Sequence, residues 1–236
     1  MAGFPRDFAR TRRFSLGVPG LFTVSPDGAR VLFVRTGSGT DPVGRLWLFE
    51  GGAERLLADP AALGGPGEES LPEEERVRRE RARVMSSGIT SYAADRAARL
   101  AVFALGGALW AVRTDGGEPW PVPAAGPAVD PRPSPDGSLV AYVTGGALRV
   151  VGTDGADDRP LAVPEAPDVT YGLAEHAAAE SMGGGAGTGG RRTGTPCWWR
   201  ASTRRPSPAG TWPTRRTRPA RRASCATPRR APRTPG

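Results

Sequence analysis

Residues 132–155 read RPSPDGSLVAYVTGGALRVVGTDG: a tight turn, a short apolar run, a glycine-rich turn and a second apolar run. Asp136 and Gly137 suit turn positions, Asp by bonding nearby backbone and Gly by tolerating a positive φ. Val140–Val143 is short and rich in β-branched and aromatic side chains, which favours a strand over a helical segment of equal length. The same order occurs upstream. TVSPDGARVLFVRT (Thr23–Thr36) leads to LWLFEGG (Leu46–Gly52), and ADRAARLAVFALGGALWAVRTDGG (Ala94–Gly117) is a third copy that lacks the proline. The expected strands are therefore Val31–Val34, Leu100–Phe103 and Val140–Val143, each with a partner strand.

Repeats of this kind, built from short strands, are the pattern of β-propeller blades. The alternative is a β-sandwich whose hairpins resemble one another by coincidence. Asp27 and Asp136 lie 109 residues apart with the degenerate copy between them, so one long insertion is expected, over about 59–86. Within it, EESLPEEERVRRERARVMSSGITSY (Glu68–Tyr92) places Pro72 and three glutamates before a run of arginines. Acids in the first turn and arginines later match the helix dipole, which predicts a helix over about 72–84. A solvated helix laced with i,i+4 pairs has the same composition.

Composition divides the chain in two. Of the 236 residues, 33 are Gly and 25 are Pro, and every basic residue is Arg. From Gly183 onward there are 13 arginines and no Asp or Glu, whereas residues 1–182 carry 19 arginines against 24 acids. The basic character thus belongs to the tail alone. Lys, Asn and Gln are absent and Ile89 is the only isoleucine, as a very GC-rich gene would produce. Cys197 and Cys225 both lie in the tail, which gives no disulfide framework. No apolar stretch has signal-peptide or membrane-helix length, so a cytoplasmic protein without membrane attachment is expected.

Three stretches together resemble the dipeptidyl peptidase IV branch of the prolyl oligopeptidase family. EEERVRRERARVMSSGITSYAAD is similar to the charged helix and strand that enter that family's active-site cavity. The SPDG units resemble its propeller, and VTYGLAEHAAAESMG (Val169–Gly183) resembles the segment whose glutamates hold the substrate's free amino terminus. The resemblance covers roughly residues 5–183. It implies that Arg83, or else Arg81, aims a guanidinium at the substrate's backbone carbonyl or carboxyl, a task suited to a planar donor fork. It also implies that Glu175 and Glu180 pair with the substrate ammonium. Ser181 follows Glu180 where relatives often have a second glutamate.

The catalytic parts are missing. No G-x-S-x-G elbow occurs; the nearest string, TGSGT (Thr36–Thr40), lacks the first glycine. His176, the single histidine, has no nucleophile near it in sequence. Without a triad there is no acyl-transfer chemistry, and the chain is expected not to hydrolyse peptides. The α/β-hydrolase domain that would do so is absent from it, and the resemblance implies neither cofactor nor metal.

The tail reads GGGAGTGGRRTGTPCWWRASTRRPSPAGTWPTRRTRPARR from Gly183. A disordered arginine arm for nucleic acid, with Trp198, Trp199 and Trp212 stacking on bases, is one reading. Codon arithmetic favours another. Trp has one codon, so Cys197–Arg200 read two bases later gives Leu-Val-Ala. The same frame permits GYWWAPDG across Thr188–Gly194 and YLADPADPAR across Thr211–Ala220, which is a further SPDG-like unit. A one-base frameshift close to Met182–Gly185 is therefore expected, with residues 183–236 an out-of-frame, disordered tail and nucleic acid not a partner.

The expected architecture is all-β: a partial propeller of about three blades over 1–182 with an inserted charged helix, then the tail. The expected function is that of a truncated, non-catalytic region of a serine exopeptidase that would release N-terminal dipeptides. A free-standing propeller scaffold that binds protein partners is the alternative from another class.

Overall fold

The computed structural model describes residues 3–64, 71–81, 84, 86–166, 169–173 and 201–203. The chain separates into a unit of residues 1–205 and a second of 206–236; only the first contains described residues. Antiparallel sheet dominates it. A short helix α1 (Phe4–Arg10) comes first, then β1 (Gly20–Val24), β2 (Arg30–Thr36), β3 (Val43–Glu50) and β4 (Ala53–Ala58). The one-turn helix α2 (Pro60–Leu63) and the charged helix α3 (Glu73–Arg81) lead to β5 (Ser87–Gly88). Two more runs of four follow: β6 (Ala93–Ala94), β7 (Leu100–Leu105), β8 (Ala108–Arg113) and β9 (Trp120–Pro121), then β10 (Val129–Pro133), β11 (Leu139–Thr144), β12 (Ala147–Gly152) and β13 (Arg159–Ala162). β14 (Val169–Tyr171) and β15 (Ala201–Thr203) form a last antiparallel pair.

Each run of four is a meander in which neighbours in sequence are neighbours in space. The two central strands of each are the apolar runs predicted above. Their registers match across the repeats: Phe33 stands opposite Trp47, Phe103 opposite Trp110 and Tyr142 opposite Arg149. The first sheet gains β5, parallel to β3. The described strands form open sheets.

The turn before each second strand shows why SPDG recurs. The Ser25 hydroxyl accepts from the Arg30 N–H at 2.9 Å, while Asp27 accepts from the Ala29 N–H at 3.0 Å and from the Ser25 hydroxyl. Ser134 and Asp136 repeat the arrangement, with Leu139 N–H donating to Ser134 at 3.0 Å and Ser138 N–H to Asp136 at 3.1 Å. These donors hold the Asp136 carboxyl down at about 2, the Ser134 hydroxyl foremost. Gly28 and Gly137 take φ of 72° and 73°. The degenerate copy does the same work with other residues. Asp95 stands where the serine does, and its carboxylate alone accepts from the Arg99 and Leu100 N–H groups at 2.7 and 3.0 Å. Ala98 takes the left-handed conformation, φ 51°.

Apolar residues lie on both faces of the central strands, so the sheets bury one another. Leu32, Leu46 and Leu48 of the first sheet pack with Ala101, Phe103 and Val112 of the second. The other face of the second sheet, with Val102, Leu109 and Ala111, packs on Val140, Tyr142 and Val151 of the third. Beyond it, Ala141, Val143 and Leu148 meet Tyr171 and Leu173. Polar ties cross the seams at their rims: Arg30 reaches the Ala97 carbonyl at 3.1 Å and the Trp120 indole N–H the Thr153 carbonyl at 3.0 Å. Within the third sheet, Asp158 accepts from the Tyr142 hydroxyl at 2.6 Å and from Arg149 at 2.9 Å. Burial, followed by that carboxylate, pushes the Tyr142 phenol above its usual value. Among the described residues no helix is long and apolar enough to cross a membrane.

Candidate functional site

The insertion between the first and second sheets is where charge is concentrated. α3 begins after Pro72, whose carbonyl accepts from the Arg76 N–H at 2.9 Å. Oppositely charged i,i+4 neighbours on such a helix can pair, and among the described side chains Glu75 and Arg79 do so facing inward. Arg79 Nε donates to Glu75 Oε1 at 2.8 Å, with side chains only 10% and 6% exposed. Arg79 also reaches toward the Gly88 carbonyl at 3.4 Å. The Arg76–Glu73 pair one turn earlier lies in solvent. The helix therefore docks through a buried ion pair. Removing one member of such a pair strands a charge in a poorly solvated place, which is strongly destabilising.

After α3 the chain is stitched to the edge of β3. Ser87 N–H donates to the Pro42 carbonyl at 2.9 Å and Ile89 N–H to the Gly44 carbonyl at 3.0 Å. The approach is close enough to demand glycine on both strands. A Cβ on Gly44 would sit 2.3 Å from the Ile89 carbonyl oxygen, and one on Gly88 would sit 2.9 Å from that of Gly44. Ile89 then enters the seam between the first two sheets, fully buried. The Tyr92 hydroxyl lies 2.7 Å from the Leu21 carbonyl, 2.8 Å from that of Leu32 and 3.0 Å from the Thr23 hydroxyl. Burial holds its phenol above the usual value. Residues Ser87–Tyr92 are thereby fixed to the first sheet by backbone, an apolar plug and a half-buried phenol.

Between this segment and the N-terminal turn lies a cleft of about 310 Å³, lined by Arg12, Leu71, Arg76, Arg79, Val84, Ser86 and Ser87. Arg12 follows α1 in a turn where Arg12, Arg13 and Phe14 all take positive φ, 47°, 66° and 60°, a conformation that L side chains rarely adopt in succession. Arg79 is committed to Glu75 and Arg76 to Glu73, whereas Arg12 makes no ion pair among the described residues. Guanidinium forks and two hydroxyls around a partly apolar pocket suit a carboxylate or a polarised carbonyl. They supply no proton-transfer group that titrates near neutrality. Among the described residues, no group of three or more His, Cys, Asp or Glu side chains is placed to hold a metal ion.

Of the residues singled out from sequence, Arg83, Glu175 and Glu180 lie outside the described residues, as do His176, Cys197 and Cys225. Arg81 is the last residue of α3. The cleft instead brings forward Arg12, Arg79, Ser86 and Ser87, which sequence reasoning did not single out. The Glu75–Arg79 spacing was visible, but so was the equally spaced Arg76–Glu80, and only packing buries the first and leaves the second exposed. No protein-family model matches this chain.

Proposed function

We propose that this chain is the non-catalytic, partial-propeller region of a dipeptidyl-peptidase-IV-like serine peptidase, in which the inserted helix and the strand after it face the substrate's path. The observation that carries the reading is the way the insertion is held. A highly charged helix departs from the first sheet, docks through the buried Glu75–Arg79 pair and returns through the β3–β5 backbone bonds. A loop that merely joined two sheets would need neither device. Both fix the insertion that carries Arg83 and borders the arginine-lined cleft. In that role Arg83 grips the substrate's backbone carbonyl, and Glu175 and Glu180 receive its ammonium. The distance from that ammonium site to a separate hydrolase domain then sets the length of the released dipeptide.

The chain by itself performs no acyl transfer in this account; it gates and measures. The test is to restore the frame near Met182 and express the longer product. It is expected to release dipeptides from chromogenic dipeptidyl substrates, to be blocked by serine-directed reagents, and to lose activity on Arg83→Ala or Glu180→Gln. A longer product that folds but hydrolyses no peptide with a free amino terminus would overturn the reading.

A further inference from the structure

The cleft beside α3 holds a guanidinium without a counter-charge. Of the three arginines that line it, Arg76 is matched by Glu73 and Arg79 by Glu75. Arg12 is half-buried, and its side chain makes no hydrogen bond or ion pair among the described residues. No Asp or Glu is among the described residues that line the cleft.

The backbone that presents Arg12 is, by contrast, well fixed. The Arg12 N–H donates to the Ala9 carbonyl at 3.1 Å, and the Ser15 hydroxyl donates to the Arg12 carbonyl at 2.6 Å. The Phe14 N–H donates to the Thr11 hydroxyl at 3.0 Å. Leu16 is buried, and the Gly17 N–H ties the end of the turn to the first sheet through the Thr36 hydroxyl at 2.7 Å. The three successive left-handed residues Arg12, Arg13 and Phe14 carry backbone strain. Such strain persists only where its surroundings over-determine it, and it clusters at ligand clamps. Elsewhere on the lining, the half-buried Ser86 has a hydroxyl without a hydrogen-bond partner among the described residues. Leu71 and Val84 add apolar surface.

We propose that this cleft binds a small carboxylate carried on an apolar body, with the Arg12 guanidinium as its ion partner and the Ser86 hydroxyl as a further donor. One unmatched cation calls for a singly charged ligand. A half-buried charge without a partner is costly, and a carboxylate removes that cost. The planar fork takes both carboxylate oxygens at once. A volume of about 310 Å³ lies at the small end of ligand pockets, which suits a short-chain acid or a single amino-acid residue with a free carboxylate. The inference rests on the lining of the cleft and not on the peptidase reading.

The test titrates the full chain, isotope-labelled at arginine, with isocaproate, with its neutral primary amide and with inorganic phosphate. Isocaproate is expected to bind and to shift the Arg12 Nε–H resonance, identified by its loss in Arg12→Lys. The amide and phosphate are expected to bind at least about tenfold more weakly, since one lacks the charge and the other lacks the apolar body. Arg12→Ala should weaken isocaproate binding by roughly ten- to a hundredfold, the worth of one charge-assisted pair. Arg12→Lys should fall between Arg12→Ala and wild type, because it keeps the charge and loses the fork. Arg13→Ala, in the same turn but outside the cleft lining, should leave the affinity unchanged. Circular dichroism checks that each variant keeps its sheet content. Absence of isocaproate binding would overturn the inference, as would equal binding of the amide or of phosphate. An equal loss in Arg12→Ala and Arg13→Ala would overturn it too.

Discussion

Phe103→Ala probes the seam between the first two sheets more sharply than any other single change. The ring is fully buried among Leu32, Leu46, Leu48 and Ile89. Phenylalanine removes roughly 100–150 Å² more apolar surface from water than alanine, which at about 25 cal/mol per Å² amounts to about 3 kcal/mol. A cavity left between two hydrogen-bonded sheets cannot collapse fully, so the total falls at about 3–5 kcal/mol. With a urea slope of about 2 kcal/mol per molar, the midpoint should drop by about 1.5–2.5 M. Phe49→Ala, at a 42% exposed position, serves as the contrast and should cost less than about 1 kcal/mol. Equilibrium urea unfolding followed by tryptophan fluorescence gives both numbers. If Phe103→Ala lowers stability by no more than Phe49→Ala does, the sheets are not packed face to face as described.

Glu75→Ala strands the Arg79 guanidinium and should cost about 3 kcal/mol, whereas the double change to apolar residues, Glu75→Leu with Arg79→Met, should recover much of that loss; thermal denaturation of the three variants measures both. Gly28→Ala should destabilise by about 1 kcal/mol although a Cβ there meets nothing within 4 Å, because φ is 72°; the cost is backbone strain alone. Asp136 has its carboxyl lowered from 3.8 to about 2 in the fold. Its contribution is therefore complete above about pH 4 and disappears as pH falls toward 2, and Asp136→Asn should flatten that limb of the stability–pH curve. Gly44→Val should detach β5 from β3, detected as new proteolytic cleavage around Ser86–Gly88.

The central strands were legible because each is a compact apolar run between turn residues, and β2, β7 and β11 are only two or three residues longer than the expected segments. The outer strands were not. β6 and β9 are two residues long, and β10 carries Pro131 and Pro133. Proline is tolerated there only because that strand lies at a sheet edge. The second repeat's turn was recognisable as a degenerate copy, yet nothing local announced that Asp95 would replace serine and aspartate together. The cleft was least legible, because it depends on distant parts of the chain. Gly44 and Gly88 have meaning only once their backbones meet, and Arg12 reaches α3 only through the turn after α1. The charged helix was readable from Pro72 and its glutamates, but not which of its pairs would be buried.

The most direct test of the central claim is to read the encoding DNA across codons 182–194 and onward. The account expects a single-base change to open a frame that reads GYWWAPDG and continues through further SPDG-like repeats to a G-x-S-x-G elbow with Asp and His after it. A gene in which no single-base change opens such a frame would contradict the claim and leave the basic tail as a genuine part of the protein.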